Sequence, residues 1–478
     1  MVPTLHLPDA RATDALGMRL SGLLRPGDCV LLEGDLGAGK STLARAVIQT
    51  ALGSDEPVPS PTFTLTAQYE TAETTFIHAD LYRLSGPEEL EETGLDEAFR
   101  DAVTLIEWPD RLGDLRPKDA LTIALSTDGE GRQAMFSASG ERSEALSAAL
   151  GQSREAQLSA FLAAAGFTEA TAVPGDASNR RYYNAGPHIA MDAPYAKGED
   201  VRPFVAVTGM LRERGLSAPA ILAAEPANGF LLLENLGDGL FARLCETDPS
   251  REAGLYEAAV DALHGLGARE SDTVPPYDMA VLEREAMLLT DWWCPAAGVA
   301  ASEDMRAEWA GTVREAMAEV AEDRSALVLR DYHAENLLWL PERDGDARVG
   351  LLDYQDALIG HPAYDLVSLL EDARRDVTPG LAEAMVARFL ARRPDLNGAA
   401  FRRDYDLLGA QRNAKIVGIF ARLCVRDGKP RYLSMIPRVW AHLMRDVRKV
   451  PGLRGFIERH IPAPTDDLLA RIATEHGR

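Results

Sequence analysis

Three polar residues near the middle of the chain have the types and the spacing of a phosphoryl-transfer site. Asp331 follows a short apolar run, Asn336 comes five positions later, and Asp353 ends another apolar run. A carboxylate can orient a hydroxyl group and accept its proton, while an amide oxygen and a second carboxylate can hold Mg²⁺ against phosphate oxygens. The sequence therefore predicts that Asp331 is catalytic and that Asn336 and Asp353 bind the metal.

Short strands must position these side chains. Apolar runs at residues 326–329, 337–340 and 349–352 have the length and composition of buried strands. Residues 341–348 between the last two runs are charged and contain glycine, which is typical of a hairpin connection. The pattern predicts a loop that carries Asp331 and Asn336, followed by a hairpin that delivers Asp353.

This segment resembles a known family. It reads Leu-Arg-Asp-Tyr-His-Ala-Glu-Asn-Leu-Leu-Trp-Leu-Pro, then Gly-Leu-Leu-Asp-Tyr-Gln-Asp-Ala and Gly-His-Pro-Ala-Tyr-Asp-Leu. It is similar to the catalytic and metal loops of the aminoglycoside phosphotransferase family, which is related to protein kinases, and most similar to the N-acetylmuramate/N-acetylglucosamine kinases called AmgK. The resemblance implies transfer of phosphate from ATP, with Mg²⁺, to the anomeric hydroxyl of an amino sugar. It also implies that Asp365 is a structural carboxylate beneath the catalytic loop.

The resemblance implies a nucleotide site upstream of this segment. Residues 175–183 would form the loop that covers the phosphates, and Glu234 would lie in the hinge that receives adenine. Protein kinases carry a phosphate-binding Lys in the third strand of this region, but Met191 stands near that position here. Arg181, or Arg180 beside it, is the candidate replacement.

A second motif lies near the N-terminus. An apolar run at residues 29–32 leads into a glycine-rich G-x₄-G-K-S segment, and a helical pattern follows it. Strand, motif and helix together predict a P-loop, whose backbone N–H groups turn towards phosphate oxygens at a helix N-terminus. The predicted nucleotide-binding residues are Gly34, Asp35, Leu36, Gly37, Ala38, Gly39, Lys40, Ser41 and Thr42. Lys40 would reach the β- and γ-phosphates, and Ser41 would hold Mg²⁺.

Two acidic residues follow apolar runs in the same region. Asp80 comes after residues 76–79, and Glu107 comes after residues 103–106. A P-loop enzyme keeps a metal-supporting carboxylate and a water-orienting group at such strand ends. We predict that Glu107 supports the metal and that Asp80 acts on the attacking water.

The order of motifs within residues 34–111 resembles the TsaE family. It comprises Gly-Asp-Leu-Gly-Ala-Gly-Lys-Ser, Ser-Pro-Thr-Phe, His-Ala-Asp-Leu-Tyr-Arg and Ile-Glu-Trp-Pro-Asp-Arg. TsaE is a small bacterial ATPase that serves threonylcarbamoyladenosine modification of tRNA together with TsaB and TsaD. The resemblance implies that Thr62 lies near the phosphates, that Trp108 lies near the nucleotide, and that contact with tRNA is indirect.

The bulk composition narrows the possibilities. The chain has 478 residues and a formal net charge of −24, so its surface repels nucleic-acid backbones. Its four cysteines are scattered without the spacing of a zinc site or a disulfide framework. The sequence also lacks an apolar run of membrane-spanning length, and we expect a cytoplasmic protein.

These patterns predict two joined enzymes. Residues 1–137 would form an α/β P-loop ATPase domain, residues 138–154 a linker, and residues 155–478 a bilobal α+β domain of protein-kinase type. The linker assignment depends on its Ala, Ser and Gly content and on the lack of an apolar stripe long enough for a core helix.

Two alternatives remain open for the second domain. It could phosphorylate another hydroxyl compound, such as an aminoglycoside or an amino alcohol, because an acidic protein suits cationic substrates. It could instead be a nucleotide-binding interaction module without turnover. The lack of the third-strand Lys favours that alternative, whereas Asp331, Asn336 and Asp353 oppose it.

Overall fold

The computed structural model divides the chain into two compact units. It describes residues 3–54, 56–61, 64–84, 94–173, 179–267 and 273–476. The first unit comprises Met1–Arg202 with Ile221–Asn235, and the second comprises Pro203–Ala220 with Leu236–Arg478.

The first unit contains a mixed seven-stranded sheet of order β1-β7-β6-β2-β5-β4-β3. Its strands are β1 (Thr4–Leu7), β2 (Cys29–Glu33), β3 (Thr66–Glu70), β4 (Thr75–Asp80), β5 (Val103–Glu107), β6 (Leu121–Asp128) and β7 (Gly131–Ala138). Its helices are α1 (Ala10–Leu23), α2 (Lys40–Leu52), α3 (Leu95–Asp101) and α4 (Glu141–Leu150). The four central strands run parallel, which confirms the predicted α/β class. Because β2, β4 and β5 are parallel neighbours, the polar residues that end them meet at one edge of the sheet.

The predicted linker at residues 138–154 is wrong as local structure. Most of it forms α4, whose Leu146 and Leu150 are buried against the sheet. The helix begins because the carboxylate of Asp119 accepts the backbone N–H groups of Arg142 and Ser143, at 3.0 and 2.9 Å. The first N–H groups of a helix have no acceptor within the helix, and here Asp119 in a distant loop provides one. The sequence pattern of residues 138–154 alone does not reveal this contact.

A second, five-stranded antiparallel sheet belongs to the same unit. Its order is β11-β12-β10-β9-β8, the order of the small lobe of a protein kinase. The strands are β8 (Thr171–Val173), β9 (Arg181–Ala185), β10 (His188–Asp192), β11 (Ile221–Glu225) and β12 (Phe230–Glu234). Helix α5 (Arg154–Ala164) covers one face of the sheet, where the rings of Phe161 and Phe230 stack at 5.6 Å.

The second unit is mainly helical. Its helices are α6 (Arg202–Glu213), α7 (Phe241–Thr247), α8 (Glu252–Ala262), α9 (Met279–Ala286), α10 (Cys294–Ala296), α11 (Glu303–Met317), α12 (Ala363–Leu370), α13 (Leu381–Ala391), α14 (Gly398–Val425), α15 (Ile436–Val447), α16 (Pro451–His460) and α17 (Asp466–His476). Two antiparallel strand pairs lie among them. They are β13 (Ala326–Val328) with β16 (Leu358–Gly360), and β14 (Leu337–Trp339) with β15 (Val349–Leu351). The predicted hairpin that leads to Asp353 is therefore confirmed.

Helix α14 packs tightly at two glycines. A Cβ atom at Gly418 would lie 2.3 Å from the backbone of Leu288, and one at Gly409 would lie 2.6 Å from the Asp446 carboxylate. These contacts fix both the depth and the rotation of α14, because a side chain at either position would push its neighbours away.

The four cysteines are free and buried, as expected. Among the described residues, no helix combines the length and the apolar character that a membrane crossing requires.

Candidate functional sites

The first candidate site surrounds Lys40, the first residue of α2. Its ammonium donates to the carbonyl oxygens of Gly34 and Asp35, at 2.8 and 2.9 Å. The indole ring of Trp108 lies against it, with 4.0 Å from Nζ to the ring centroid. Burial lowers the pKa of Lys40, while the nearby carboxylates act in the opposite direction. A cation held mostly by neutral carbonyl groups is well placed to attract phosphate oxygens.

Glycine is required where the loop leaves β2. Gly34 has φ +135°, and a Cβ atom there would lie 2.2 Å from the carbonyl oxygen of Leu125. Gly37 and Gly39 also have positive φ, at +79° and +105°. These left-handed residues let the backbone curl around the site, as the predicted P-loop requires.

Ser41 and Glu107 meet beside the loop. The hydroxyl of Ser41 donates to Glu107 at 3.0 Å, and a His78 ring nitrogen lies 2.9 Å from the other carboxylate oxygen. Glu107 and His78 are both buried. The serine hydroxyl and the fixed carboxylate form the oxygen-rich pair that Mg²⁺ prefers, so these residues fit the predicted metal position.

Asp80 lies next to Glu107, because the ends of β4 and β5 are in register. It accepts from the hydroxyl of Ser60 at 3.0 Å and from the backbone N–H of Tyr82 at 3.2 Å. Both carboxylates line a cavity of about 360 Å³. The same cavity is lined by Leu36, Gly37, Gly39, Lys40, Ser41, Thr42, Ser60, Tyr82, Arg83 and Trp108.

The remaining predicted residues have other positions. Asp35 and Ala38 close a turn of the loop through an N–H to carbonyl bond of 3.1 Å. Thr62 lies outside the described residues. Ser60 and His78 were missed by sequence reasoning, although both belong to the quoted TsaE-like motifs.

The second candidate site is built on a buried carboxylate. Asp365, in the first turn of α12, accepts the backbone N–H groups of Leu329 and Arg330 at 2.7 and 2.8 Å. Burial raises the pKa of Asp365 to about 7, although these two bonds act to lower it. The carboxylate therefore fixes the backbone immediately before Asp331.

Asp331, Asn336 and Asp353 lie in adjoining loops. The side-chain amide of Asn336 donates to the backbone carbonyl of Asp331 at 2.9 Å, and the backbone carbonyl of Asn336 accepts from the N–H of Leu352 at 3.0 Å. The side chain of Gln355 donates to Asp353 at 3.0 Å. The amide oxygen of Asn336 and the carboxylate of Asp353 are ligand types that Mg²⁺ prefers, so this donor set fits the metal.

Backbone strain is concentrated at the two sites. Among the residues that the structure describes, the non-glycine residues with positive φ are Leu65, Trp108, Arg330 and Asp353. Trp108 lines the first site, Arg330 precedes Asp331, and Asp353 is a predicted metal ligand. Left-handed conformations are disfavoured for residues with side chains and persist where the surrounding structure enforces them.

Arg330 is tied to a buried charge network. Its guanidinium pairs with Glu285 on α9, which also accepts from Lys415 at 2.8 Å. Burial acts to raise the pKa of Glu285, but Lys415 and Arg330 outweigh it and lower the pKa to about 2. The ionised carboxylate holds both cations beside the catalytic loop.

A small cavity of about 110 Å³ opens beside Asp331, and we call it the basic cavity. Its lining comprises Arg330, Asp331, Tyr364, Ala373, Arg374, Arg412, Lys415, Ile416, Ile419 and Phe420. Sequence reasoning missed Arg374, Arg412 and Lys415. They lie far downstream in the chain, and only the packing of α12 and α14 brings them to Asp331.

Residues predicted to bind nucleotide in the five-stranded sheet are more scattered. Glu234 ends β12, directly before the chain enters the second unit. Arg181 is exposed on β9, whereas Arg180 forms a 2.7 Å ion pair with Glu199. The predicted phosphate-covering loop at residues 175–183 lies partly outside the described residues. The nucleotide contacts of Arg181 and Glu234 stay predictions.

Comparison with known proteins matches two successive parts of the chain to two different families. The family model described as threonylcarbamoyl adenosine biosynthesis protein TsaE matches residues 7–134. The model described as phosphotransferase enzyme family matches residues 169–402.

Individual relatives agree with the family models. A Caulobacter vibrioides N-acetylmuramate/N-acetylglucosamine kinase is 40% identical over 359 residues, 65% of this chain and 98% of the relative. A kinase of the same name from Pseudomonas aeruginosa is 36% identical, over 58% of this chain and 83% of the relative. A Rickettsia felis tRNA threonylcarbamoyladenosine biosynthesis protein TsaE is 38% identical, over 27% of this chain and 75% of the relative.

Proposed function

Because the chain belongs to the TsaE family through its N-terminal part and to the N-acetylmuramate/N-acetylglucosamine kinases through its C-terminal part, we propose that it performs two ATP-dependent reactions. The first is ATP hydrolysis in support of threonylcarbamoyladenosine formation in tRNA. The second is phosphorylation of N-acetylmuramate or N-acetylglucosamine at the anomeric hydroxyl. Four free buried cysteines agree with work in the reducing cytoplasm.

In the proposed ATPase, Lys40 and the P-loop backbone bind the phosphates. Ser41 and Glu107 hold Mg²⁺, which when bound neutralises charge on the β- and γ-phosphates. Asp80 orients the attacking water, and Ser60 and the Tyr82 backbone keep its carboxylate in place. The net charge of −24 argues for an indirect contact with tRNA, through partners of the TsaB and TsaD type.

In the proposed kinase, Asp331 orients the anomeric hydroxyl towards the γ-phosphate and accepts its proton. Asn336 and Asp353 hold Mg²⁺, which when bound draws negative charge from the phosphates. Most of the rate enhancement then comes from positioning and from charge neutralisation. The observation that carries this proposal is the bond from the Asn336 amide to the Asp331 carbonyl, which couples the catalytic loop to the metal ligand.

The basic cavity bears on the alternative substrates. Aminoglycosides and amino alcohols are cations, and beside Asp331 they would meet Arg330, Arg374, Arg412 and Lys415. Like charges repel, so this lining favours a neutral or acidic acceptor, although the protein as a whole is acidic.

The test compares two variants of the full chain. Asp331→Asn should lower turnover of amino sugars by about 10²–10⁴-fold, the usual contribution of a positioned general base, with Mg²⁺–ATP binding nearly intact. Asp353→Asn should weaken Mg²⁺–ATP binding itself. Turnover would be followed by ADP release and binding by calorimetry. Parental turnover in Asp331→Asn would exclude the catalytic assignment.

A further inference from the structure

The basic cavity is cationic in a strongly acidic protein. Among the described residues that line it, four carry positive charge and Asp331 alone is acidic. Its volume of about 110 Å³ is well below the roughly 300 Å³ of a cavity that encloses a whole ligand, so it suits one substituent of a substrate.

Three of the four cations already have acidic partners. Arg330 and Lys415 share Glu285, and Arg374 forms a 2.7 Å ion pair with Glu335. These pairs fix the positions of the side chains and reduce their need for a further anion.

Arg412 forms no direct ion pair with the described residues, although its positive charge acts to lower the pKa of the buried Asp365. Its side chain is 5% exposed, its Nη2 donates to the neutral hydroxyl of Ser368 at 2.8 Å, and its Nη1 lacks a hydrogen-bond partner among the described residues. Leaving a charged donor buried and unpaired is costly, so such a group usually has a partner in the functional state. An anion in the basic cavity would supply it.

Helix α14 adds an apolar wall to the cavity. Lys415, Ile416 and Ile419 follow Arg412 by three, four and seven residues, the spacing of a single helix face. One face therefore offers charged donors next to branched aliphatic side chains and Phe420. A substituent with a carboxylate and a small apolar group matches this surface.

We propose that the basic cavity is the binding site for the carboxylate of an acidic amino sugar and that Arg412 determines the preference for it. The inference rests on the proposed kinase function and deepens it. Of the two sugars named above, N-acetylmuramate carries a lactyl ether with a carboxylate and a methyl group, whereas N-acetylglucosamine has only a hydroxyl there. Arg412 binds the carboxylate, and Ile416 and Phe420 contact the methyl group.

The phosphoryl group in transfer is another anion that could occupy the cavity. Of the two named sugars, N-acetylmuramate alone has a carboxylate, whereas the phosphoryl group is transferred to every acceptor. Kinetic measurements with acceptors that have or lack the carboxylate therefore distinguish the two anions.

The experiment uses the full-length protein with three acceptors: N-acetylmuramate, its uncharged carboxamide, and N-acetylglucosamine. In the parental protein, KM for the carboxamide should exceed KM for N-acetylmuramate by about 10–100-fold, the range expected for a hydrogen bond to a charged group. Arg412→Gln should remove most of this difference, and Arg412→Lys should restore part of it. Arg402→Gln, at an exposed arginine on the same helix that pairs with Glu383, should leave the ratio unchanged.

The outcomes are distinct. Equal KM values for the acid and its carboxamide in the parental protein overturn the proposal without any variant. An equal loss of kcat on all three acceptors in Arg412→Gln assigns the cavity to the phosphoryl group and also overturns it. If the parental protein phosphorylates none of the three acceptors, the proposed kinase function itself fails.

Discussion

Single residues support the catalytic loop without touching a substrate. Asp365 accepts two backbone N–H groups, and Ser368 donates to the carbonyl of Arg330 at 3.1 Å. Arg330 has a left-handed backbone with φ +73°. Because a residue with a side chain resists this conformation, three hydrogen bonds around it are needed to keep Asp331 in place.

Asp365→Asn should destabilise the protein and lower kinase turnover. Asparagine has one acceptor oxygen, so one buried N–H loses its partner, at a cost of about 1–3 kcal/mol. A shift of the loop by about 1 Å would lower turnover by roughly 10²-fold. Urea unfolding and sugar-kinase assays measure the two effects. Asp344→Asn, at an exposed position of the hairpin turn, serves as the control, and equal behaviour of the two variants would contradict this role.

Two buried carboxylates, Glu371 and Asp446, lie close together in the second unit. Glu371 and Asp446 both accept from the amide of Asn413, at 2.7 and 3.2 Å, and Arg445 contacts both. Burial, together with the charge of Glu371, raises the pKa of Asp446. The folded protein thus keeps a proton on this pair to a higher pH than the unfolded chain.

This pair should make stability depend on pH. A carboxyl group in the unfolded chain has a pKa of about 3.9, so folding binds a proton above that pH. The free energy of unfolding should then fall from about pH 4 through the neutral range, by up to about 1.4 kcal/mol per pH unit. Asp446→Asn keeps a donor towards Glu371 without titrating. Between pH 5.5 and pH 8, the free energy of unfolding in urea should fall less in the variant than in the parental protein. An equal fall in both would contradict the raised pKa of Asp446.

Among the elements, α14 has the largest influence on the second site. It presents Arg412 and Lys415 to the basic cavity, and Gly418 allows it to approach Leu288 closely. The two cations follow Gly409 by less than two turns, so any displacement of the helix would move them relative to Asp331.

Two glycine-to-alanine substitutions should have opposite effects. In Gly418→Ala the new methyl group meets the Leu288 backbone, and overpacking of this kind costs about 1–3 kcal/mol. In Gly311→Ala on α11 a Cβ has nothing within 4 Å, so the higher helix propensity of alanine should stabilise by about 0.5–1 kcal/mol. Thermal unfolding measures both, and a neutral Gly418→Ala would show that α14 can move freely.

The sequence predicted an element correctly where neighbouring residues determine it, and the prediction failed where residues distant in the chain determine it. The P-loop and the hairpin before Asp353 depend on neighbouring residues, so their patterns predicted them. Helix α4 was taken for a linker because its Ala-, Ser- and Gly-rich sequence lacks a long apolar stripe, and the contacts of its first turn with Asp119 come from a separate loop. The cations beside Asp331 were missed because their positions result from helix packing, which periodicity does not encode.

In the whole molecule, the P-loop site and the site at Asp331 are formed by different residues. The first candidate site lies on the seven-stranded sheet of the first unit, and the proposed catalytic loop and proposed metal ligands of the second lie in the second unit. Shared ATP use therefore does not imply a shared catalytic centre.

Variants of the full chain should separate the two activities. Lys40→Ala removes the cation of the P-loop and should abolish its ATP turnover, with sugar phosphorylation retained. Asp331→Asn should do the reverse. Complementation of a TsaE-depleted bacterium is the cellular measure: the parental chain and Asp331→Asn should restore growth, and Lys40→Ala should not. Loss of both activities in either variant would contradict independence, and failure of the soluble parental chain to complement would count against the proposed tRNA role.

The left-handed residues around the two sites also bear on how this protein could adapt to heat. Glycine at Arg330 or Asp353 would relieve about 1–2 kcal/mol of unfavourable backbone conformation. Selection for thermal tolerance alone would favour such replacements, yet they would remove an arginine of the basic cavity or a proposed metal ligand. Lineages that need both reactions must therefore gain heat resistance elsewhere, for example at Gly311, and keep the strained residues as a lasting compromise between robustness and turnover.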